Sequence, residues 1–196
     1  MRLFIALDIP LEIRQRIETF MKSICNFAPD ARWVRPESLH VTLKFIGEKD
    51  TESVEAIKEA CASIKINSFE LSFRGYGFFP TAKAARVLWV GIESGPELAA
   101  LAQKVDAATM SVGIPKEEHP YTPHLTLARA GRDSGAPKSQ KTDGPNKRFQ
   151  TLQEKLAARP APDFGTMTAR EFFLYESRTM RGRSHYTKIA QFALSS

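Results

Sequence analysis

His40-Val41-Thr42-Leu43 returns 84 positions later as His124-Leu125-Thr126-Leu127. Each copy is a histidine, an apolar spacer, a threonine and a leucine. In an extended strand successive side chains point to opposite faces, so a histidine and a threonine two apart share one face. Alternation predicts that Val41, Leu43 and Phe45 turn to the buried side. Leu125 and Leu127 do the same in the second copy. Each strand then presents one imidazole and one hydroxyl, and two such strands side by side would form a cleft with paired His and paired Thr.

The flanking segments share the same offset. The apolar strand opening at Arg2 maps onto the strand opening at Arg86, and the helix predicted over 11–25 maps near 95–109. Three elements with one offset imply two similar halves, roughly 2–47 and 86–131, within a single unit spanning 1–196. The first helix opens at Pro10, which suits a first helical turn, and carries Ile13, Ile17, Phe20, Met21 and Ile24 at helical spacing. A second helix follows Asp50 or Thr51 with Val54, Ile57, Cys61 and Ile64. A third begins near Pro96 with Leu98, Leu101, Ala102 and Val105. Strands are expected over 39–46, 69–78 and 86–92, with closing strands over 164–167, 171–177 and 186–194. Gly75 and Gly77 allow a bend. Residues 130–147 are rich in Gly, Ser, Lys, Asp and Pro, the composition of a surface loop. It could lie over RNA or be solvated. Strands alternating with helices, each strand two-faced, indicate an α+β fold of two lobes.

At 196 residues with 42% apolar content the chain can bury a sizeable core. A net charge of +6 favours an anionic partner such as a nucleotide or RNA, weakly. The opening Met1–Asp8 stretch is far too short to span a membrane, and a cytoplasmic protein is expected. Cys25 and Cys61 sit at apolar helix positions and read as buried free thiols, not a disulfide framework.

Opening a phosphodiester with water needs a base for the water and an acid for the leaving oxygen. Histidine, with a pKa near neutrality, serves either role, and on this reading either histidine could take either one. The hydroxyls of Thr42 and Thr126 can donate to phosphate oxygens. Lys44 and Arg129 are candidates to balance its charge. Alternation puts Lys44 on the His40 face, whereas Arg129 should turn away from His124 unless its strand twists. Tyr121 could stack on a base or simply pack in its loop, and Trp33 likewise. His119 and His185 have no echo. Such a site needs no metal, and no carboxylate- or Cys-rich ligand cluster is evident.

These residues resemble the 2H phosphoesterase superfamily, named for its two His-x-Thr motifs. The closer resemblance is to the RNA 2′,3′-cyclic phosphodiesterases, also called 2′-5′ RNA ligases (LigT-like). It rests on Arg2-Leu3-Phe4-Ile5-Ala6-Leu7, Trp33-Val34, Leu39 through Gly47, Pro123 through Arg129 and Leu174-Tyr175-Glu176-Ser177. The resemblance implies two lobes of antiparallel sheet with outer helices and both motifs in a central cleft. It further implies metal-free, cofactor-free hydrolysis of RNA ends carrying a 2′,3′-cyclic phosphate, by a monomer. His40 would be the proton donor, His124 the proton acceptor, and Thr42 and Thr126 the phosphate holders. Reverse 2′-5′ ligation is a possible side activity. The alternatives are a non-catalytic module that binds a nucleotide or RNA end, and an enzyme for a small cyclic nucleotide.

Overall fold

Strand β1 (Arg2–Leu7) is buried on both faces, and its alternation divides the protein. Leu3, Ile5 and Leu7 join the main core, while Phe4 and Ala6 join a small aromatic cluster with Phe173 and Tyr175 on the other face. A strand covered on both sides reads as an unbroken apolar run, as this one does. The computed structural model describes residues 1–130, 149–180 and 183–195. The loop expected over 130–147 therefore lies almost wholly outside the described residues, as do residues 181–182.

β1 pairs antiparallel with β3 (Val41–Glu48) on one side and β8 (Glu171–Met180) on the other. β9 (Arg183–Ala193) completes a four-stranded sheet in the order β3-β1-β8-β9. The second sheet has five antiparallel strands, β2 (Ala31–Trp33), β6 (His124–Ala130), β5 (Val87–Ser94), β4 (Phe69–Phe79) and β7 (Asp163–Ala169), in the order β2-β6-β5-β4-β7. The motif strands thus fall in different sheets. β3 pairs with β1 across helix α1 (Leu11–Ile24), and β6 pairs with β5 across helix α3 (Pro96–Met110).

The helices form because their apolar residues return to one face. α1 buries Ile13, Ile17, Met21 and Ile24; α3 buries Leu98, Leu101, Ala102 and Val105. α2 (Thr51–Ala62) buries Val54, Ile57 and Cys61, and α4 (Gln150–Ala157) buries Leu152 and Leu156. Asp50 caps α2 by accepting from the Ser53 backbone N–H at 2.8 Å. All four stripes meet the core-facing residues of both sheets in one continuous cluster. Each fully buried Leu or Ile there contributes roughly 1.5–3 kcal/mol. The result is an α+β fold of two sheets with helices packed behind them. Two expectations shift. Cys61 is buried, and burial pushes its thiol up to about 12, but Cys25 closes α1 in a short turn and is only half-buried. The first motif strand begins at Val41, because the 3₁₀ turn Pro36–Ser38 leads directly into His40.

Candidate active site

The turn that delays β3 also orients its histidine. His40 Nδ1 lies 2.8 Å from the Ser38 carbonyl, two residues back. A carbonyl can only accept, so Nδ1 carries the hydrogen and Nε2 is left as the basic nitrogen. His124 repeats the arrangement, with Nδ1 2.8 Å from the Thr122 carbonyl. Both histidines are therefore held in one tautomer by a carbonyl at i−2. The His40 ring packs on Phe4 at 4.7 Å and meets the edge of Tyr186 at 5.2 Å, and His124 stands edge-on to Phe79 at 5.0 Å.

Strand register places the threonines. Thr42 lies opposite Ala6, and Phe45 opposite Phe4, so both are on the face of the aromatic cluster, with His40. Thr126 lies opposite Trp89 and His124 opposite Gly91, on the face away from the core residues Leu88 and Val90. Trp89 can lie flat over β4 because position 77 is glycine; a Cβ there would meet the indole at 2.1 Å. Among the described residues neither threonine hydroxyl is bonded to protein.

The register slips at the fourth residue of each motif. Thr42 and Lys44 face Ala6 and Ile5, consecutive in β1, so Leu43 is the extra residue of a β-bulge. Thr126 and Ala128 likewise face Trp89 and Leu88, so Leu127 is the extra residue. A bulge reverses the alternation beyond it, and three expectations turn over as a result. Lys44 does not share the face of His40: it is 4% exposed and bonds the Asp106 carboxylate and the Pro115 carbonyl. Phe45, expected inside, is 64% exposed on the His40 side. Arg129, expected to turn away, comes onto the His124 face. The Tyr121 hydroxyl donates to the Thr42 carbonyl at 3.1 Å and so ties its loop to the first motif.

The chain matches the sequence profile described as LigT like Phosphoesterase in two successive segments, residues 7–89 and 90–186. The chain belongs to the LigT-like phosphoesterases. It is 30% identical over 177 residues to the RNA 2′,3′-cyclic phosphodiesterase of Archaeoglobus fulgidus, covering 90% of this chain and 91% of that one. It is 29% identical over 197 residues to the Escherichia coli protein of the same name, covering 99% and 97%. The crystal structure of E. coli LigT complexed with 3′-AMP superposes with a TM-score of 0.77 at 29% identity, over 100% of this chain and 98% of that one. No helix among the described residues is long and apolar enough to cross a membrane.

In this LigT-like phosphoesterase both imidazoles titrate below their ordinary value of 6.5. For His40 burial is the main cause, with the charges of Arg129 and His124 acting in the same direction; the Ser38 carbonyl and Asp8 oppose them. For His124 burial again leads, opposed by the Thr122 carbonyl and reinforced by Arg129. The charge of Arg129 thus reaches both rings, and the charge of His124 reaches His40. Asp8, which favours protonated His40, is itself paired with Arg14 at 2.8 Å and Lys188 at 2.5 Å. No group of three or more His, Cys, Asp and Glu suited to a metal occurs among the described residues.

Two cavities flank Ser38 and Tyr186, one of them reaching His40. One of about 310 Å³ is lined by His40 with Asp8, Arg14, Tyr175, Tyr186 and Lys188. Another, of about 520 Å³, shares Ser38 and Tyr186 with it. The cavity of about 550 Å³ at Lys44, Asp106, His119 and Tyr121 is lined by neither motif histidine, so it is not the seat of the chemistry. Sequence reasoning missed Asp8, Phe79 and Tyr186, which meet the histidines only through strand pairing and the β8–β9 hairpin. His185, opposite Arg178 in that hairpin, is exposed.

Proposed function

We propose that this LigT-like phosphoesterase hydrolyses the 2′,3′-cyclic phosphate at an RNA end to a 2′-phosphate. The observation that carries this reading is the matched pair of histidines, each with Nδ1 fixed by an i−2 carbonyl and Nε2 left to react. His124 Nε2 takes a proton from water as the water oxygen bonds phosphorus. The bond from phosphorus to O3′ breaks, and O3′ takes the proton held on His40 Nε2. The products are a 3′-hydroxyl and a 2′-phosphomonoester, and the two histidines have exchanged protonation states. Asp8 supports His40 as the donor, because it is the carboxylate whose charge favours the protonated ring. Thr42 and Thr126 donate to the non-bridging oxygens, and Arg129 balances their charge. The names of the relatives, RNA 2′,3′-cyclic phosphodiesterases, support the substrate class. With a 5′-hydroxyl in place of water as the nucleophile, the same couple would form a 2′-5′ linkage and leave a free 3′-hydroxyl.

The same reading takes 1–196 as one bilobal domain with an internal repeat at 2–47 and 86–131. The two successive profile matches and the paired bulges at Leu43 and Leu127 support it. It also takes the protein as a cytoplasmic monomer acting on free RNA ends. The test is product analysis on an RNA ending in a 2′,3′-cyclic phosphate. A 2′-phosphate product is expected; a 3′-phosphate would reverse the proposed leaving group, and no turnover would sink the catalytic reading in favour of a binding module.

A further inference from the structure

On the β2–β6 ladder Arg32 lies directly opposite Arg129. Residues directly opposite on an antiparallel pair share a face, and like charges so placed repel. The repulsion is felt: Arg129 sits below the ordinary arginine value through burial first, with Tyr186 opposing and Arg32 contributing. A fixed pair of cations is a place where an anion gains from both at once. The pair opens into the cavity of about 520 Å³, which is also lined by Trp33, Arg35, Ser184 and Tyr186. Arg35 is held there by the Ser184 carbonyl at 3.1 Å and by Glu37 at 3.2 Å. A guanidinium has five N–H donors, so others remain for a ligand. The groove shares Ser38 and Tyr186 with the histidine cavity.

We infer that this groove is a second phosphate subsite, binding the phosphodiester immediately upstream of the reacting nucleotide in a single RNA strand. The inference rests on the reading of the histidine cleft as the place where the terminal cyclic phosphate reacts. Arg129 lies on the histidine face of β6 and Arg32 beside it on the edge strand β2, so the two cations run from the reacting phosphate toward the next. Tyr186 supplies an aromatic wall between, of the kind that single-stranded RNA uses for stacking. The groove therefore selects an RNA strand over a cyclic mononucleotide.

The test is calorimetric binding of three ligands with a 2′-phosphate end: a nucleoside 2′-phosphate, the same nucleoside with an added 5′-phosphate, and a dinucleotide. The second and third are expected to bind about tenfold more tightly than the first. Their salt dependence should be steeper by about 0.7 in log–log slope, as for one phosphate neutralised on a single strand. In Arg32→Gln the three affinities should converge to within about twofold, with folding verified by circular dichroism. Arg35→Gln repeats the test should Arg32→Gln fail to fold. Equal binding of the three ligands to the native protein, or a gain that survives both substitutions, overturns the subsite. A gain confined to the 5′-phosphate monomer assigns the groove to mononucleotides and overturns the RNA-strand part. Hydrolysis of the matching cyclic substrates is followed in parallel. Turnover without the binding gain removes the groove alone, and the binding gain without turnover removes the catalytic reading alone.

Discussion

The hydroxyl of Tyr121, three residues before the second motif, donates to the backbone carbonyl of Thr42 in the first at 3.1 Å. One bond thus ties the strand of one sheet to the segment that delivers His124 from the other. The phenol is largely buried, and burial raises its pKa above the ordinary tyrosine value, so it remains a donor across the working range. Tyr121→Phe keeps the ring and deletes the bond. It should cost about 1 kcal/mol of stability and lower kcat by about tenfold or more with little change in KM, since the histidines lose registry while the phosphate contacts remain. Steady-state kinetics corrected for folded fraction decide the matter; an unchanged kcat would reduce Tyr121 to packing.

Removing either histidine deletes one half of the acid–base couple. His40→Ala and His124→Ala should each lower kcat on a 2′,3′-cyclic phosphate by about 10²–10⁴-fold. The double variant should be scarcely worse than either single one, because the two act as a unit. Both rings are partly covered by aromatic neighbours and lie outside the main core, so melting temperatures should fall only modestly. Full activity in either single variant would rule out the two-histidine mechanism.

The depressed histidine values set a pH dependence with a definite sign. Folded values lie below 6.5 while the unfolded ones stay there, so the unfolded chain binds more protons in between. The stabilisation is fully present above pH 6.5 and is lost as pH falls through the folded values. Urea unfolding at about pH 7.5 and about pH 5 should reveal the loss, and His40→Phe should shrink it. In catalysis the free couple should give a bell-shaped kcat/KM profile centred on the acid side of 6.5. The kcat profile should move to higher pH, because a bound phosphate anion favours the protonated ring. A kcat optimum at lower pH than that of kcat/KM would contradict this.

The fold was largely legible because apolar periodicity is a direct consequence of burial. The stripes of α1, α2 and α3 and the two-faced β1 follow from spacing alone, and so does the pairing of His with Thr in each motif. What spacing could not carry was the bulge. Strand alternation assumes one residue per step, and nothing in Leu43 or Leu127 announces that it is the extra one. Lys44, Phe45 and Arg129 were therefore assigned to the wrong faces together, for one cause. The partners of the histidines in space, Phe4, Phe79, Tyr186 and Asp8, depend on which strands become neighbours. That order, β3-β1-β8-β9 in one sheet and β2-β6-β5-β4-β7 in the other, is set by long-range packing and not by local sequence.

The bulge gives Lys44 a structural task that can be measured. Its side chain, 3% exposed, bonds the Asp106 carboxylate of α3 and the Pro115 carbonyl, and Asp106 also accepts from the Glu117 backbone N–H at 3.0 Å. Burial works against the Asp106 charge, but the hydrogen bonds from Lys44 and Glu117 outweigh it and hold the carboxyl below its ordinary value. The first motif strand is thus fastened to the 115–117 segment, which runs on to Tyr121 and His124. Lys44→Met leaves Asp106 without its cation and should cost about 3 kcal/mol, the low end for a broken buried pair, because Asp106 keeps some solvent. Lys44→Met with Asp106→Leu removes both charges and should recover part of that loss. Urea denaturation of the single and double variants measures the coupling. A single-variant loss below about 1 kcal/mol, the range of an exposed pair, would show that the fastening contributes little. If instead the loss is large, the double variant should regain stability without regaining full kcat, because the bonds to Pro115 and Glu117 that set the path to His124 are still missing.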